Sequence, residues 1–196
     1  MTTWILSYAI GKRESGFLGV PYSEFLVLQL LGILFFAAFV PVSGWLADRF
    51  GRKPTLLVVT GLMVAFGLSF GLWLSPDSMG QGAELNVPSM IAFLAVGMAL
   101  MGLTFGPMSA VLPELFPTNT RYTGSGIAYN VSSIIGAAVT PFIAAWLVQR
   151  FDVAWVGYYL AAASLVTLAA LALTPETRHT DLHTVSSARE RRAAAR

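Results

Sequence analysis

Two short charged stretches hold the residues with the most chemistry to offer. Gly44 to Pro54 reads GWLADRFGRKP, and Pro113 to Tyr122 reads PELFPTNTRY. Asp48, Arg49, Arg52, Lys53, Glu114 and Arg121 stand there between long runs that carry no charge. Acids and bases in such loops can form ion pairs, and here all of these groups but Arg49 sit at the helix end where the backbone dipole disfavours them. Asp48 and Glu114 follow helix C-termini, while Arg52, Lys53 and Arg121 lie at helix N-termini, mismatches of a few tenths to about 1 kcal/mol each. Loop bases have a topological reason, because Lys and Arg collect on the cytoplasmic side of a membrane; acids contribute little to that bias. Pairing accounts for both signs. A network is therefore expected in which Asp48 and Glu114 meet Arg49, Arg52 or Arg121, or the N-terminus of a neighbouring helix.

A second set of residues is polar but uncharged. Tyr122, Ser125, Tyr129, Ser133, Gly136 and Thr140 recur at intervals of three and four, which puts them on one helix face, with Asn130 beside it. Hydroxyls and a carboxamide on one face can hydrogen-bond a small polar molecule, and small residues there can equally pack helices together. Ser133, Gly136 and Thr140 fit either use; Tyr129 and Asn130 fit packing less well. Gln29, Thr104 and Ser109 are weaker candidates for the same contacts. Gly124-Ser125-Gly126 frames a serine, but a nucleophilic serine needs a general base within reach, and no His, Lys or carboxylate lies in any apolar run. An intramembrane protease is thereby excluded, and the chain is read as no enzyme. His179 and His183 lie in a polar tail, where their spacing is read as accidental and not as a metal site. The absence of cysteine removes disulfides, thiolate metal sites and a thiol nucleophile. No cofactor is expected.

The elements that must position these residues follow from composition. Of 196 residues, 56% are apolar and 11% charged, against roughly 25% charged in soluble domains. That rules out a soluble protein, and a formal net charge of +2 with dispersed bases rules out a nucleic-acid footprint. Five runs hold no Asp, Glu, Lys or Arg: 25–47, 54–75, 88–112, 122–148 and 153–174. Each can cross a hydrocarbon core of about 30 Å, which takes about 20 residues. Ahead of them, Thr2 to Ile10 reaches only about 14 Å at 1.5 Å per residue and lacks the features of a signal peptide. It is read as the outer end of a helix whose beginning is missing. The fold class is thus all-α integral membrane, with five complete transmembrane helices plus the end of a sixth. Gly67 with Gly71 and Gly102 with Gly106 have the spacing of close helix contacts, and Pro41, Pro107 and Pro141 should kink their helices. Arg49, Arg52, Lys53, Arg121 and five arginines of the tail fall on one side, against Lys12, Arg13 and Arg150 on the other. The first side, with the C-terminus, is expected to be cytoplasmic.

GWLADRFGRKP resembles the signature loop of the major facilitator superfamily. Together with PELFPTNTRY, Gly106-Pro107-Met108 and Pro175-Glu176-Thr177, it resembles the metabolite:proton symporter branch. The resemblance covers residues 2 to about 182 and implies twelve helices in two six-helix halves, with that loop between the second and third helix of each half. The four spans and basic tail that follow it match the C-terminal half. Residues 1–174 are then that half, truncated at its start, and 175–196 a cytoplasmic, disordered basic tail. The implied function is transport of a small organic metabolite, an organic acid, betaine or amino-acid-like compound, by proton-coupled alternating access in the cell membrane. Gly44, Asp48, Arg49, Gly51, Arg52, Glu114 and Arg121 would form a gating latch. Tyr129, Asn130 and Ser133, with Gln29 and Thr104, would contact substrate. No span carries a charge, so the proton-coupling acid would belong to the missing N-terminal half. The partners implied are a small-molecule substrate and the lipid bilayer, with no nucleic acid. The alternative is a small accessory membrane protein that binds a partner's helices.

Overall fold

A computed structural model describes residues 2–11, 17–74, 86–116 and 118–173. Among them every regular element is helical: α1 (Thr2–Ile10), α2 (Tyr22–Phe50), α3 (Arg52–Leu68), α4 (Phe70–Leu74), α5 (Val87–Glu114), α6 (Arg121–Arg150) and α7 (Val153–Leu173). Lys12, Arg13, the Pro175-Glu176-Thr177 stretch, both histidines and the tail lie outside the described residues.

Four helices, α2, α5, α6 and α7, are long and apolar enough to cross a membrane. Their apolar residues face outward to a degree that water would not tolerate. Only 11% of the most apolar stretch of α6 and 17% of that of α2 is buried, and Phe142 is 79% exposed. The expected span over 54–75 is instead α3 and α4, broken at Ser69. Ser69 Oγ donates to the Phe66 carbonyl at 2.9 Å, and the residue sits near ψ zero (φ −83°, ψ −2°), which turns the chain by one step before helix resumes. The span expected over 122–148 is one helix, α6, with a wide π turn at Ile134–Ala138. Pro141 follows that turn and has no N–H to offer the Ala137 carbonyl, and a local π turn is a common way for a helix to absorb such a defect. Pro41 and Pro107 lie inside α2 and α5.

Glycine sets how closely the helices approach. A Cβ on Gly102 would lie 2.6 Å from the Phe36 carbonyl oxygen, and one on Gly106 would lie 2.1 Å from Ser43 Oγ. Ser43 Oγ uses the contact, donating to the carbonyls of Val40 at 2.7 Å and Gly102 at 3.2 Å, so it ties α2 to α5. On the other flank a Cβ on Gly67 would lie 2.8 Å from the Gly157 carbonyl, and one on Gly71 would lie 2.9 Å from Ala154 Cβ, which seats α3 and α4 on α7. Both glycine pairs therefore serve close packing. At the end of the bundle away from the charged loops, Trp4, Tyr8, Phe66, Phe70 and Phe93 form one buried aromatic cluster, and Tyr8 Oη donates to the Leu74 carbonyl at 3.2 Å.

Candidate functional site

The loop between α2 and α3 consists of one residue, Gly51. Its φ of 106° with ψ of 152° lies in a region open essentially to glycine alone, which is the physical reason for a glycine at this point of GWLADRFGRKP. Its N–H closes α2 on the Ala47 carbonyl at 3.0 Å, and its carbonyl accepts from Thr55 Oγ1 at 2.7 Å, which opens α3. That sharp reversal puts Arg52 in the first turn of α3, facing the end of α5.

Arg52 Nη1 donates to Glu114 Oε1 across 62 residues of sequence, in a salt bridge whose side chains are 23% and 16% exposed. Glu114 Oε2 is buried and has no hydrogen-bond partner among the described residues, and the same holds for Arg121 Nε. Arg121 reaches Thr118 Oγ1 through Nη2 at 3.5 Å. Lys53 Nζ donates to the Ala172 carbonyl at 2.9 Å, where a cation meets the negative end of α7. This contact brings the C-terminal end of α7 to the same face as both charged loops.

Of the expected network, the Glu114 arm meets Arg52. The Asp48 arm does not form among the described residues: Asp48 is exposed and makes no ion pair there. The neighbouring Ala47 is the buried residue of that turn, and Asp48 lies on its exposed side. Arg49 instead stacks, with its Cζ 5.3 Å from the Trp45 ring centre and 5.7 Å from that of Phe50. Gly44 has open space where its Cβ would be, although a Cβ on Gly106 would come within 3.1 Å of its backbone nitrogen.

Immediately beside Glu114, a cleft of about 870 Å³ opens between α5 and α6. Phe105, Met108, Ser109, Leu112 and Pro113 of α5 form one wall, and Tyr122, Gly126, Tyr129, Asn130 and Ile134 are among the residues of the other. No lining residue carries a charge. Ser109 and Ser125 satisfy their hydroxyls on the carbonyls of Gly106 and Arg121, at 2.7 and 2.6 Å. Asn130 Nδ2 donates to the Gly126 carbonyl at 2.8 Å, which leaves its Oδ1 as an acceptor, and the Tyr129 hydroxyl is uncommitted among the described residues. The cleft thus offers apolar surface with a few neutral hydrogen-bonding groups, the make-up of a small-molecule site.

Tyr129 and Asn130 line this cleft together with Ser109. Ser133, Gln29 and Thr104 do not. Thr104 Oγ1 donates to the Met101 carbonyl at 2.8 Å, and Gln29 Oε1 is buried without a partner among the described residues. The apolar wall of Phe105, Met108 and Leu112 does not stand out in the sequence because α5 up to Pro113 is apolar or small throughout; its only trace is their spacing of three and four.

The profile of the Major Facilitator Superfamily matches residues 1–195. The chain is 45% identical over 182 residues to the inner membrane metabolite transport protein YhjE of Escherichia coli strain K12, covering 93% of this chain and 40% of that protein. It is 36% identical to the glycine betaine/proline/ectoine/pipecolic acid transporter OusA of Dickeya dadantii, covering 72% and 27% of the two chains. To the shikimate transporter of Escherichia coli it is 29% identical, covering 85% and 36%. The chain thus spans at most about 40% of the length of these relatives. No solved structure matches it significantly.

Proposed function

The chain belongs to the Major Facilitator Superfamily, and from that premise we propose that it forms one half of a twelve-helix carrier for a small organic metabolite. The observation that carries the proposal is the neutral cleft of Tyr129 and Asn130, whose α5 wall runs to Pro113, the residue before the Glu114 that pairs with Arg52. The substrate class is an organic acid, a betaine or an amino-acid-like compound, in keeping with the names of the relatives. Apolar residues of α5 and α6 cradle its carbon skeleton, and Tyr129 and Asn130 orient it by neutral hydrogen bonds.

Alternating access rocks two halves about a site between them. On this reading Arg52 and Glu114 hold the charged loops together in the outward-facing state, and Gly51, Arg121 and the exposed Asp48 and Arg49 belong to the same cytoplasmic face. The described spans hold no Asp, Glu, Lys, Arg or His at mid-depth, so the group that couples transport to protons belongs to the other half. The chain alone then inserts in a bilayer and moves nothing. Uptake of labelled organic acids and betaines into proteoliposomes tests this. Uptake is expected only when an N-terminal half is reconstituted with the chain, and uptake by the chain alone overturns the reading.

A further inference from the structure

The cleft between α5 and α6 is neutral in charge but one-sided in its chemistry. The Ser109 and Ser125 hydroxyls donate to the carbonyls of Gly106 and Arg121, and Asn130 Nδ2 donates to that of Gly126. These residues keep their oxygen lone pairs, among them those of Asn130 Oδ1. Pro113, four residues after Ser109, has no N–H to offer the Ser109 carbonyl, which adds a further acceptor to the same wall. Three aromatic rings belong to the lining, those of Phe105, Tyr122 and Tyr129. Phe105 is held in place by Phe36 of α2, edge to face with ring centres 5.8 Å apart. An aromatic face carries negative charge density, so rings and lone pairs act in the same sense.

An anionic group placed here would meet no base among the described residues. Arg52 is paired with Glu114, Arg121 reaches Thr118, and neither lines the cleft. The dipole of α6 favours an anion only at its first turn. Phe105 lies nine residues before Glu114 and Asn130 nine after Arg121, about 14 Å along the helices from that face. A carboxylate at that level would lose its water without gaining a partner. A cation there is attracted by every feature of the lining, and one whose nitrogen is methylated brings no N–H that needs an acceptor. We infer that the cleft takes the N-methylated ammonium end of a zwitterionic substrate, held over the rings of Phe105 and Tyr129, with the carboxylate directed out toward the other half. The inference rests on the reading of the chain as half of a carrier and narrows the substrate class of that same cleft.

Glycine betaine and 3,3-dimethylbutyrate share a shape and a carboxylate, and differ only in nitrogen against carbon at the methylated centre. Shikimate is an anion with no ammonium group. Isothermal titration in detergent, on the full chain reassembled with an N-terminal half, gives the Kd of each. Glycine betaine should bind about 3- to 30-fold more tightly than 3,3-dimethylbutyrate. Phe105→Leu and Tyr129→Leu should each bring that ratio toward one. Tyr129→Phe, which keeps the ring, should preserve the ratio even where both ligands weaken. The ratio is taken on one protein, so loss of folded material in a variant does not enter it. Equal binding of the two isosteres, or a ratio unmoved by both leucine variants, overturns the inference. Tighter binding of shikimate than of glycine betaine also overturns it while leaving the carrier reading intact. Failure of all three to bind overturns it as well, and uptake into proteoliposomes then decides the carrier reading separately.

Discussion

Arg52, the first residue of α3, and Glu114, the last of α5, are joined by a salt bridge on the charged face of the bundle. Both side chains are largely shielded, so the pair is neither screened like a surface contact nor free of desolvation cost. Glu114→Gln keeps the shape and removes the charge, and should weaken the tie by about 1 to 3 kcal/mol, the range for a charge-assisted hydrogen bond. In a carrier reassembled with its N-terminal half, that shifts a balanced two-state equilibrium about 5- to 150-fold toward the cytoplasm-open form. Faster alkylation of a cysteine placed at Ser109 would report the shift. A double-mutant cycle with Arg52→Gln should show the two losses to be strongly non-additive.

Asp48 should behave differently. From sequence alone Asp48→Asn is expected to cost as much as loss of any latch charge. With Asp48 exposed and outside every ion pair among the described residues, the expected change in stability of this chain falls within about 0.5 kcal/mol, as for ordinary surface substitutions. Uptake by the reassembled carrier should therefore fall less for Asp48→Asn than for Glu114→Gln. Equal or greater loss would mean that Asp48 finds its partner on the other half.

Much of this arrangement was legible before any coordinates, and unevenly so. Charge-free runs located the long helices because the bilayer demands their length, and the wrong-ended charges at Glu114 and Arg52 announced a pair because the helix dipole alone could not accommodate them. The break at Ser69 was not legible, since one hydroxyl turning onto the Phe66 carbonyl leaves no mark on hydropathy. Nor was the direction of Asp48, which depends on which face of the last turn of α2 Ala47 occupies. Helical periodicity placed Tyr129 on one face with Asn130 beside it, but the same periodicity included Ser133, which does not line the cleft.

Helix approach offers a test independent of transport. Gly106→Ala drives a methyl group into Ser43 Oγ and the Val40 carbonyl, which lie 2.1 and 2.9 Å from the ideal Cβ position. Overpacking of this kind costs about 1 to 3 kcal/mol, and thermal unfolding in detergent micelles should show a lowered midpoint. Gly126→Ala meets nothing within 4 Å and gains helix propensity, so its midpoint should hold or rise. If both variants unfold alike, close approach at Gly106 is not what limits stability.

The sidedness of the chain can be read by labelling. Asn119→Cys lies in the loop beside Glu114 and Asp152→Cys at the opposite end of the bundle, both at exposed positions. With the basic face cytoplasmic, an impermeant thiol reagent applied to intact cells should label Asp152→Cys and leave Asn119→Cys unreacted until the membrane is opened. The reverse pattern would invert the topology while leaving the pairing of Arg52 with Glu114 intact.

The cleft and the charged face should separate in one experiment. Tyr129→Phe removes a hydroxyl that is uncommitted within the chain, and Asn130→Ala removes a free Oδ1 acceptor together with its hydrogen bond to the Gly126 carbonyl. Each lost hydrogen bond to substrate is worth about 0.5 to 1.5 kcal/mol, so the Kd measured in detergent by isothermal titration should rise about 2- to 12-fold for either variant. Alkylation at Ser109 in the substrate-free carrier should stay near its unsubstituted rate, because neither group bridges two helices. Glu114→Gln should give the opposite pair of results, a changed alkylation rate with a Kd altered only through the shift in conformer population. If Tyr129→Phe and Asn130→Ala leave Kd unchanged while uptake falls, these residues do not contact substrate, and the cleft between α5 and α6 is a surface for packing against the other half.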